Sequence, residues 1–410
     1  MRIDLTDMIY VLSFTLDAVE ADLLGLDTGH CRRVAYLAVL MGKAAGFKDE
    51  ELRDFGGCCL LHDNALTEFI HEELVFDNYR SVPLSELARK DEMLMNLHHS
   101  ILGERNMRML PFKTDIRNII QHHHENADGS GALKRTASQT SLKSQILHLA
   151  DTVDISRSLM SMQSIEFDSL LEWVKANSGK LFSKEAVELF EKAISFDDIL
   201  YLQKNDVREF FMRELHATPC NYTNEEIHNI AEFFAEIVDY KSEFTECHSK
   251  GVAEKAELMA RYYGFDSEKA TRFYVAGAMH DIGKLIISND LVERPDKNTS
   301  AQFADIKNHA AATYKVLSKI NGIPDIVSWA SNHHERLNGS GFPRGLSAKD
   351  LSFEDQLLAC VDIYQGLTER NPYNEGMPHA KAISKMLDMA AMGEINEKIV
   401  RDIDLAMADL

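Results

Sequence analysis

The sequence predicts an all-α protein made of two tandem, duplicated helical bundles, and three observations carry that expectation. Prolines number 8 in 410 residues, and alternating Val, Ile and Thr runs are few, which argues against a β-rich fold. Apolar residues recur at spacings of three and four, as in AVELFEKAISF and IHNIAEFFAEIVDY, the period of one helix face. The chain also repeats itself over most of its length, and such a repeat sets the domain organisation.

The repeat can be followed element by element. Each half opens with an amphipathic helix about 25 residues before its first matching histidine. DTGHCRRVAYLAVLMGKAAGF then matches TECHSKGVAEKAELMARYYGF, and GGCCLLHD matches AGAMHD. QHHHENADGSG matches NHHERLNGSG, HLADTVD matches LACVDIY, and GKLFSKEAVELF matches GEINEKIVRDI. From His30 to His62 is 32 residues, as from His248 to His280; from His99 to His123 is 24, as from His309 to His333. The His62–His99 and His280–His309 intervals differ, 37 against 29, as a loop of variable length would allow. Two helical domains are therefore expected, residues 1 to about 215 and about 221 to 410. Between them HATPCNYTNEE carries Pro219 and a capping sequence from Thr223 to Glu226.

Bulk properties narrow the function. A net charge of -21 repels nucleic-acid polymers, so a phosphate substrate must be attracted locally, by metal ions or a few basic side chains. No apolar run reaches the roughly 18 residues of a membrane span. The start, MRIDLTDMIYVLSF, lacks a cleavage signature. The six cysteines are scattered without a CxxC pair, which reads as reduced thiols and a cytoplasmic location.

The chemistry lies in an ordered series that occurs twice. It runs His248, His280, Asp281, His309, His333, His334 and Asp362 in the second half, and His30, His62, Asp63, His99, His123, His124 and Asp151 in the first. A carboxylate beside an apolar run such as AGAM costs several kcal/mol unless something pairs with it, and a metal ion is one such partner. Five imidazoles and two carboxylates are too many for one tetrahedral ion and suit two octahedral ones. Mixed ligation of this kind favours iron or manganese, with zinc also compatible. Paired ions about 3.5–4 Å apart clamp a phosphoryl group and ionise a water.

The second half resembles the HD-GYP family of HD-domain cyclic-dinucleotide phosphodiesterases. HDIGK, NHHERLNGSGFPRGL and VDIYQGLTERNPY match that family's blocks in order, over about residues 244 to 405. The resemblance implies tandem HD-domain bundles and two divalent metal ions held by the seven second-half residues. It further implies an active-site part for Lys284 and Asp281 and hydrolysis of a cyclic dinucleotide, cyclic di-GMP above others. Arg336, Arg344 and Gly341, in or beside the glycine-rich loop, are the expected substrate-binding positions; turn geometry is Gly341's role in either case. The family tyrosine is Phe342 here, and Gln365-Gly366 replaces a typical Asp-Ala step. The Glu that holds a third metal in some members is Phe244 here, flanked by Glu243 and Glu246, so two metals are expected. The first half reads as a more distant HD-type relative: it keeps all seven ligand positions but has Leu66 at the Lys284 position and GSGAL in place of the GFP loop. His99 is preferred over His98 because Gly103 follows it by four. A second metal site with a regulatory or docking part is the expectation there. Two rivals share the ligand set, a non-enzymatic nucleotide- or metal-binding signalling scaffold and an HD-type di-iron oxygenase. A signalling protein partner and a homodimer are both compatible with the sequence.

Overall fold

The protein, seen in a computed structural model, is described over residues 1–24, 29–69, 92–204, 206–241, 247–287, 308–370 and 375–408. The architecture is all-α, as expected. Among the described residues the strands are a single two-residue pair. The chain divides into two compact units, residues 4–219 and residues 1–3 with 220–410. The expected boundaries near 215 and 221 thus sit at 219 and 220. The first three residues leave the first unit because Arg2–Ile3 (β1) pairs antiparallel with Cys220–Asn221 (β2), Arg2 opposite Asn221.

The first unit runs through α1 (Leu5–Leu24), α2 (His30–Ala44), α3 (Asp49–Leu60), α4 (Glu92–Met107) and α5 (Leu142–Ser156). Four further helices follow, α6 (Ser164–Ala176), α7 (Lys184–Ala193), α8 (Phe196–Lys204) and α9 (Arg208–Glu214). Helix α2 is central. Its Val34, Leu37, Ala38 and Met41 are buried at three-and-four spacing, and it packs on α1, α3 and α5. Ser141 caps α5 by accepting the Ser144 N–H, and Ser183 caps α7 by accepting that of Ala186; each such cap stabilises by about 1 kcal/mol.

The second unit repeats the plan with α10 (Asn224–Asp239), α11 (His248–Tyr262), α12 (Ser267–Met279), α13 (His309–Leu317), α14 (Pro324–Ser331), α15 (Phe353–Thr368), α16 (His379–Ala391) and α17 (Glu397–Ala406). The Thr223–Glu226 capping box opens α10. Helices α11 and α12 cross so closely that a Cβ on Gly277 would stand 2.7 Å from the Ala253 Cα. A short 3₁₀ turn, Ile282–Ile286, follows α12. Its Gly283 donates a backbone N–H to Thr313 Oγ1 at 3.1 Å, and Thr313 in turn donates to the His280 carbonyl at 2.8 Å. A Cβ on Gly283 would meet the His309 carbonyl oxygen at 2.1 Å. The glycine of HDIGK therefore lets α13 close on the turn, which brings His309 beside His280.

Candidate metal centre

Five elements deliver the second-half series. His248 opens α11, His280 and Asp281 end α12, His309 opens α13, His333 and His334 follow α14, and Asp362 lies within α15. All seven converge, on the two sides of Asp281. On one side, His248 Nε2 lies 3.2 Å from Asp362 Oδ1 and 3.9 Å from Asp281 Oδ2, and His280 Nε2 lies 3.2 Å from Asp281 Oδ2 and 3.6 Å from Asp362 Oδ1. On the other, His309 Nε2 lies 3.2 Å and His333 Nε2 3.8 Å from Asp281 Oδ1, with His309 and His333 Nε2 3.1 Å apart. His309, His333 and His334 also group their ring nitrogens closely, and His334 Nδ1 is 3.8 Å from Asp362 Oδ2. Around a cation with bonds of about 2.1 Å, neighbouring octahedral ligands stand about 3.0 Å apart and opposite ones about 4.2 Å. The observed separations fall in that interval. His280 Nε2 and Asp281 Oδ1 are buried without a hydrogen-bond partner, a cost that a cation removes. The donor set and the spacing both fit two ions that share Asp281.

Behind these atoms lies a layer the sequence reading missed. His280 and His333 turn Nδ1 to the carbonyls of Gly277 (2.7 Å) and Ala330 (2.6 Å), three residues back in each case. An Nδ1–H donated there leaves the Nε2 lone pair for a metal. His248 turns Nδ1 to Glu369 Oε2 at 2.8 Å. Glu369 follows Asp362 by seven residues, two helical turns, which was the available signal.

The electrostatics follow the same division. Burial opposes ionisation of Asp281, but His280 and Lys284 outweigh it and hold the carboxyl well below its usual range. For Asp362 the histidines, led by His248, do the same. Burial also opposes protonation of His248, yet Asp362 and Glu369 push it up to about 10. Burial and neighbouring imidazoles hold His333 and His334 well below the normal histidine value, so these two rings are neutral.

Lys284 Nζ stands 2.6 Å from Asp281 Oδ2. Gly341 serves the loop's own packing, since a Cβ there would meet the Arg336 backbone nitrogen at 2.4 Å. The loop is clamped by Glu335, whose carboxylate accepts the N–H groups of Arg344 and Leu346, both at 2.8 Å. The Arg336 guanidinium donates to the His333 and Glu335 carbonyls. Arg344 donates to Asn332 Oδ1 and lies 5.7 Å over the ring of Tyr314, which is 49% exposed. The Phe342 ring sits 4.6 Å from that of His334, so the residue at the family tyrosine position faces the centre. Glu243, Phe244 and Glu246 lie outside the described residues.

The first half gathers its own seven. Asp63 stands between His62 (3.5 Å from Oδ2) and His99 and His123 (3.4 and 3.7 Å from Oδ1). Asp151 faces His30 (3.2 Å), His124 (3.6 Å) and His62 (3.8 Å), and His99 and His124 Nε2 lie 3.0 Å apart. His99 is the inward ring; its neighbour His98 packs on Phe69. His62, His99 and His123 anchor Nδ1 on the carbonyls of Cys59, Met95 and Ile120. His30 uses Asp154, which Arg33 holds through both carboxylate oxygens. Leu66 is buried at the position corresponding to Lys284.

Comparison with known proteins agrees with this plan. HD-domain family models match residues 28–156 and 232–399. The 3'3'-cGAMP-specific phosphodiesterase 1 of Vibrio cholerae is 27% identical over 97% of this chain and 90% of its own length. A cyclic di-GMP phosphodiesterase of Pseudomonas aeruginosa is 29% identical over 36% of each chain. The crystal structure of a cyclic GMP-AMP specific phosphodiesterase of V. cholerae superposes with a TM-score of 0.64 at 23% identity, covering 100% of this chain and 99% of the other, which shows a common fold. With one HD domain in each half and the HDIGK and HHE–GFP series in the second, this chain is a tandem HD-domain protein of the HD-GYP family.

Proposed function

We propose that the second unit is a metal-dependent phosphodiesterase that opens a cyclic dinucleotide, and that the first unit regulates or docks it. The observation that carries this reading is the arrangement about Asp281: two groups of ligand atoms, one on each carboxylate oxygen, with Lys284 alongside. His248, His280 and Asp362 would hold one ion, and His309, His333 and His334 the other, with Asp281 serving both. When bound, such a pair supplies Lewis-acid contact to phosphoryl oxygens and lowers the pKa of a water; iron or manganese suits the donors best. Lys284 is the cation of the chain placed to meet negative charge that builds on the phosphoryl oxygens. Glu369 fixes the His248 ring. Glu335 fixes the glycine loop, from which Arg344 and Phe342 border the substrate.

The substrate we favour is 3',3'-cGAMP over the cyclic di-GMP expected from the motifs. A relative that spans both halves of this chain is named for 3'3'-cGAMP, whereas the P. aeruginosa cyclic di-GMP enzyme matches only about a third. The first unit is given the regulatory or docking part because Leu66 replaces the lysine there. The test is hydrolysis of a panel of cyclic dinucleotides by protein stripped of metal and reloaded with Fe²⁺ or Mn²⁺. A linear dinucleotide product that requires the metal is expected, with cGAMP consumed fastest. Absence of turnover on every member of the panel defeats the proposal.

A further inference from the structure

The two halves hold their first histidine by different means. In the first unit His30 turns Nδ1 to Asp154 Oδ2 at 2.8 Å, and Arg33 donates to both oxygens of that carboxylate, at 2.7 and 2.8 Å. Arg33 stands three residues after His30, and Asp154 three after Asp151. The matching positions of the second unit, three after His248 and three after Asp362, are Gly251 and Gln365. Neither can supply a carboxylate. His248 is met instead by Glu369, one helical turn beyond Gln365 at the end of α15, at 2.8 Å.

Gln365 and Gly251 make that arrangement possible. Gln365 Nε2 donates to Glu369 Oε2 at 3.1 Å, the same oxygen that His248 meets. Gln365 is buried, and its Oε1 has no hydrogen-bond partner. A buried oxygen left unsatisfied is costly, and an apolar side chain of similar size would avoid that cost. Packing alone therefore does not account for an amide here. The amide also occupies space that a side chain on α11 would fill: a Cβ on Gly251 would stand 2.3 Å from Gln365 Nε2 and 2.5 Å from its Cδ. Gly251 lies within α11, where a glycine costs about 1 kcal/mol relative to alanine, so its missing Cβ has a local use.

We propose that Gln365 and Gly251 are positioning residues of the second unit's metal centre. The amide holds Glu369 on His248 Nδ1, which keeps the Nε2 lone pair turned toward Asp362 and the ion, and Gly251 leaves room for the amide. Together the three residues do in the second unit what Asp154 and Arg33 do in the first. The inference rests on the reading of the second unit as a metal centre and is independent of the substrate.

The test measures Co²⁺ affinity of the full chain by competition with a chromophoric chelator, in an Asp63→Ala background that weakens any uptake by the first unit. There Gln365→Ala should weaken binding about tenfold, and Gly251→Ala about as much. Combining the two should cost little beyond either alone, because the added Cβ then meets no amide. Glu369→Ala should weaken binding about 10–100-fold. Adding Gln365→Asp to it should recover the affinity to within about threefold and restore the cobalt ligand-field bands, because an aspartate there reproduces the Asp154 arrangement; general loosening of the fold gives no such rescue. A wild-type chain that takes up no Co²⁺ overturns the metal-centre reading, and this inference with it. With Co²⁺ bound by the wild type, an unchanged affinity in Gln365→Ala overturns the part given to Gln365. Additive losses from Gln365→Ala and Gly251→Ala overturn the part given to Gly251. Failure of Gln365→Asp to rescue Glu369→Ala overturns the correspondence between the halves.

Discussion

Replacing Lys284 by methionine tests the proposed chemistry most directly, because it removes a charge and keeps the length of an apolar stem. The ammonium stands 2.6 Å from Asp281 Oδ2 with its side chain 24% exposed. At that separation, and an effective dielectric of about 20, the gross attraction is about 6 kcal/mol. Desolvation of each ion returns several kcal/mol of it. The attraction raises the lysine above its ordinary value against the opposing effect of burial, so Nζ carries its proton throughout the neutral range. With two divalent ions in place, Asp281 stays ionised without the lysine, and the loss falls on charge that develops during reaction. Removing one preorganised donor of that kind costs about 2.7–4 kcal/mol, or about 10²–10³ in kcat. Steady-state hydrolysis of a cyclic dinucleotide by Lys284→Met should therefore show kcat reduced by about that factor, a smaller change in KM, and an unchanged metal count. A kcat within about threefold of wild type would refute the role given to Lys284. Metal lost in step with activity would refute it too, by moving the residue's part to holding the ions.

Other expectations are equally specific. Asp281→Ala should abolish turnover, while Asp63→Ala should change it without abolishing it; equal loss from both contradicts the division of labour between the units. Glu369→Gln weakens the hold on His248 Nδ1 and should lower metal affinity about 10–100-fold, read by competition with a chromophoric chelator. Gly283→Ala places a Cβ 2.1 Å from the His309 carbonyl oxygen and should push α13 away, which metal analysis would register as loss of the ions of the second unit. The metal-free chain should take up metal with release of protons. His248, raised from 6.5 to about 10, holds a proton that the ion must displace, so affinity rises with pH by about tenfold per unit and per proton below that value. By the same sign, the stabilisation that this protonation gives the metal-free fold is complete below pH 6.5 and lost as pH rises toward 10. Titration calorimetry in buffers of different ionisation heat, and unfolding scans across that range, check the two statements.

What could be read from the residues alone depends on the kind of interaction. The helical fold could be read from period and duplication because the same apolar spacing is written twice. The fourteen positions of the two series could be read because adjacent pairs, His-Asp and His-His, recur at fixed intervals. The support behind them could not be read so easily. Glu369 reaches His248 across 121 positions, and Arg33 reaches Asp154 across 121, distances over which sequence carries no pattern. Backbone carbonyl partners such as Gly277 and Ala330 leave no side-chain signature at all. Gly341 was legible as a turn glycine, and its missing Cβ is needed where the loop meets the Arg336 backbone.

The duplication also bears on why the first unit keeps a ligand set without the lysine. A buried donor or acceptor left unsatisfied costs about 1–3 kcal/mol. His30 Nε2, His62 Nε2, Asp63 Oδ1 and His123 Nε2 are four such atoms in the converging series. Their combined cost, on the order of 4–12 kcal/mol, rivals the entire net stability of a domain. Apolar side chains of similar volume would remove that cost at no loss of packing. The position corresponding to Lys284 is apolar, Leu66, while all seven positions of the series are polar and converge. A cation bound there would satisfy these atoms and turn the same cluster into a stabilising core, so the first unit should melt at a higher temperature in the Mn²⁺-loaded chain than in the stripped one, independently of any turnover in the second.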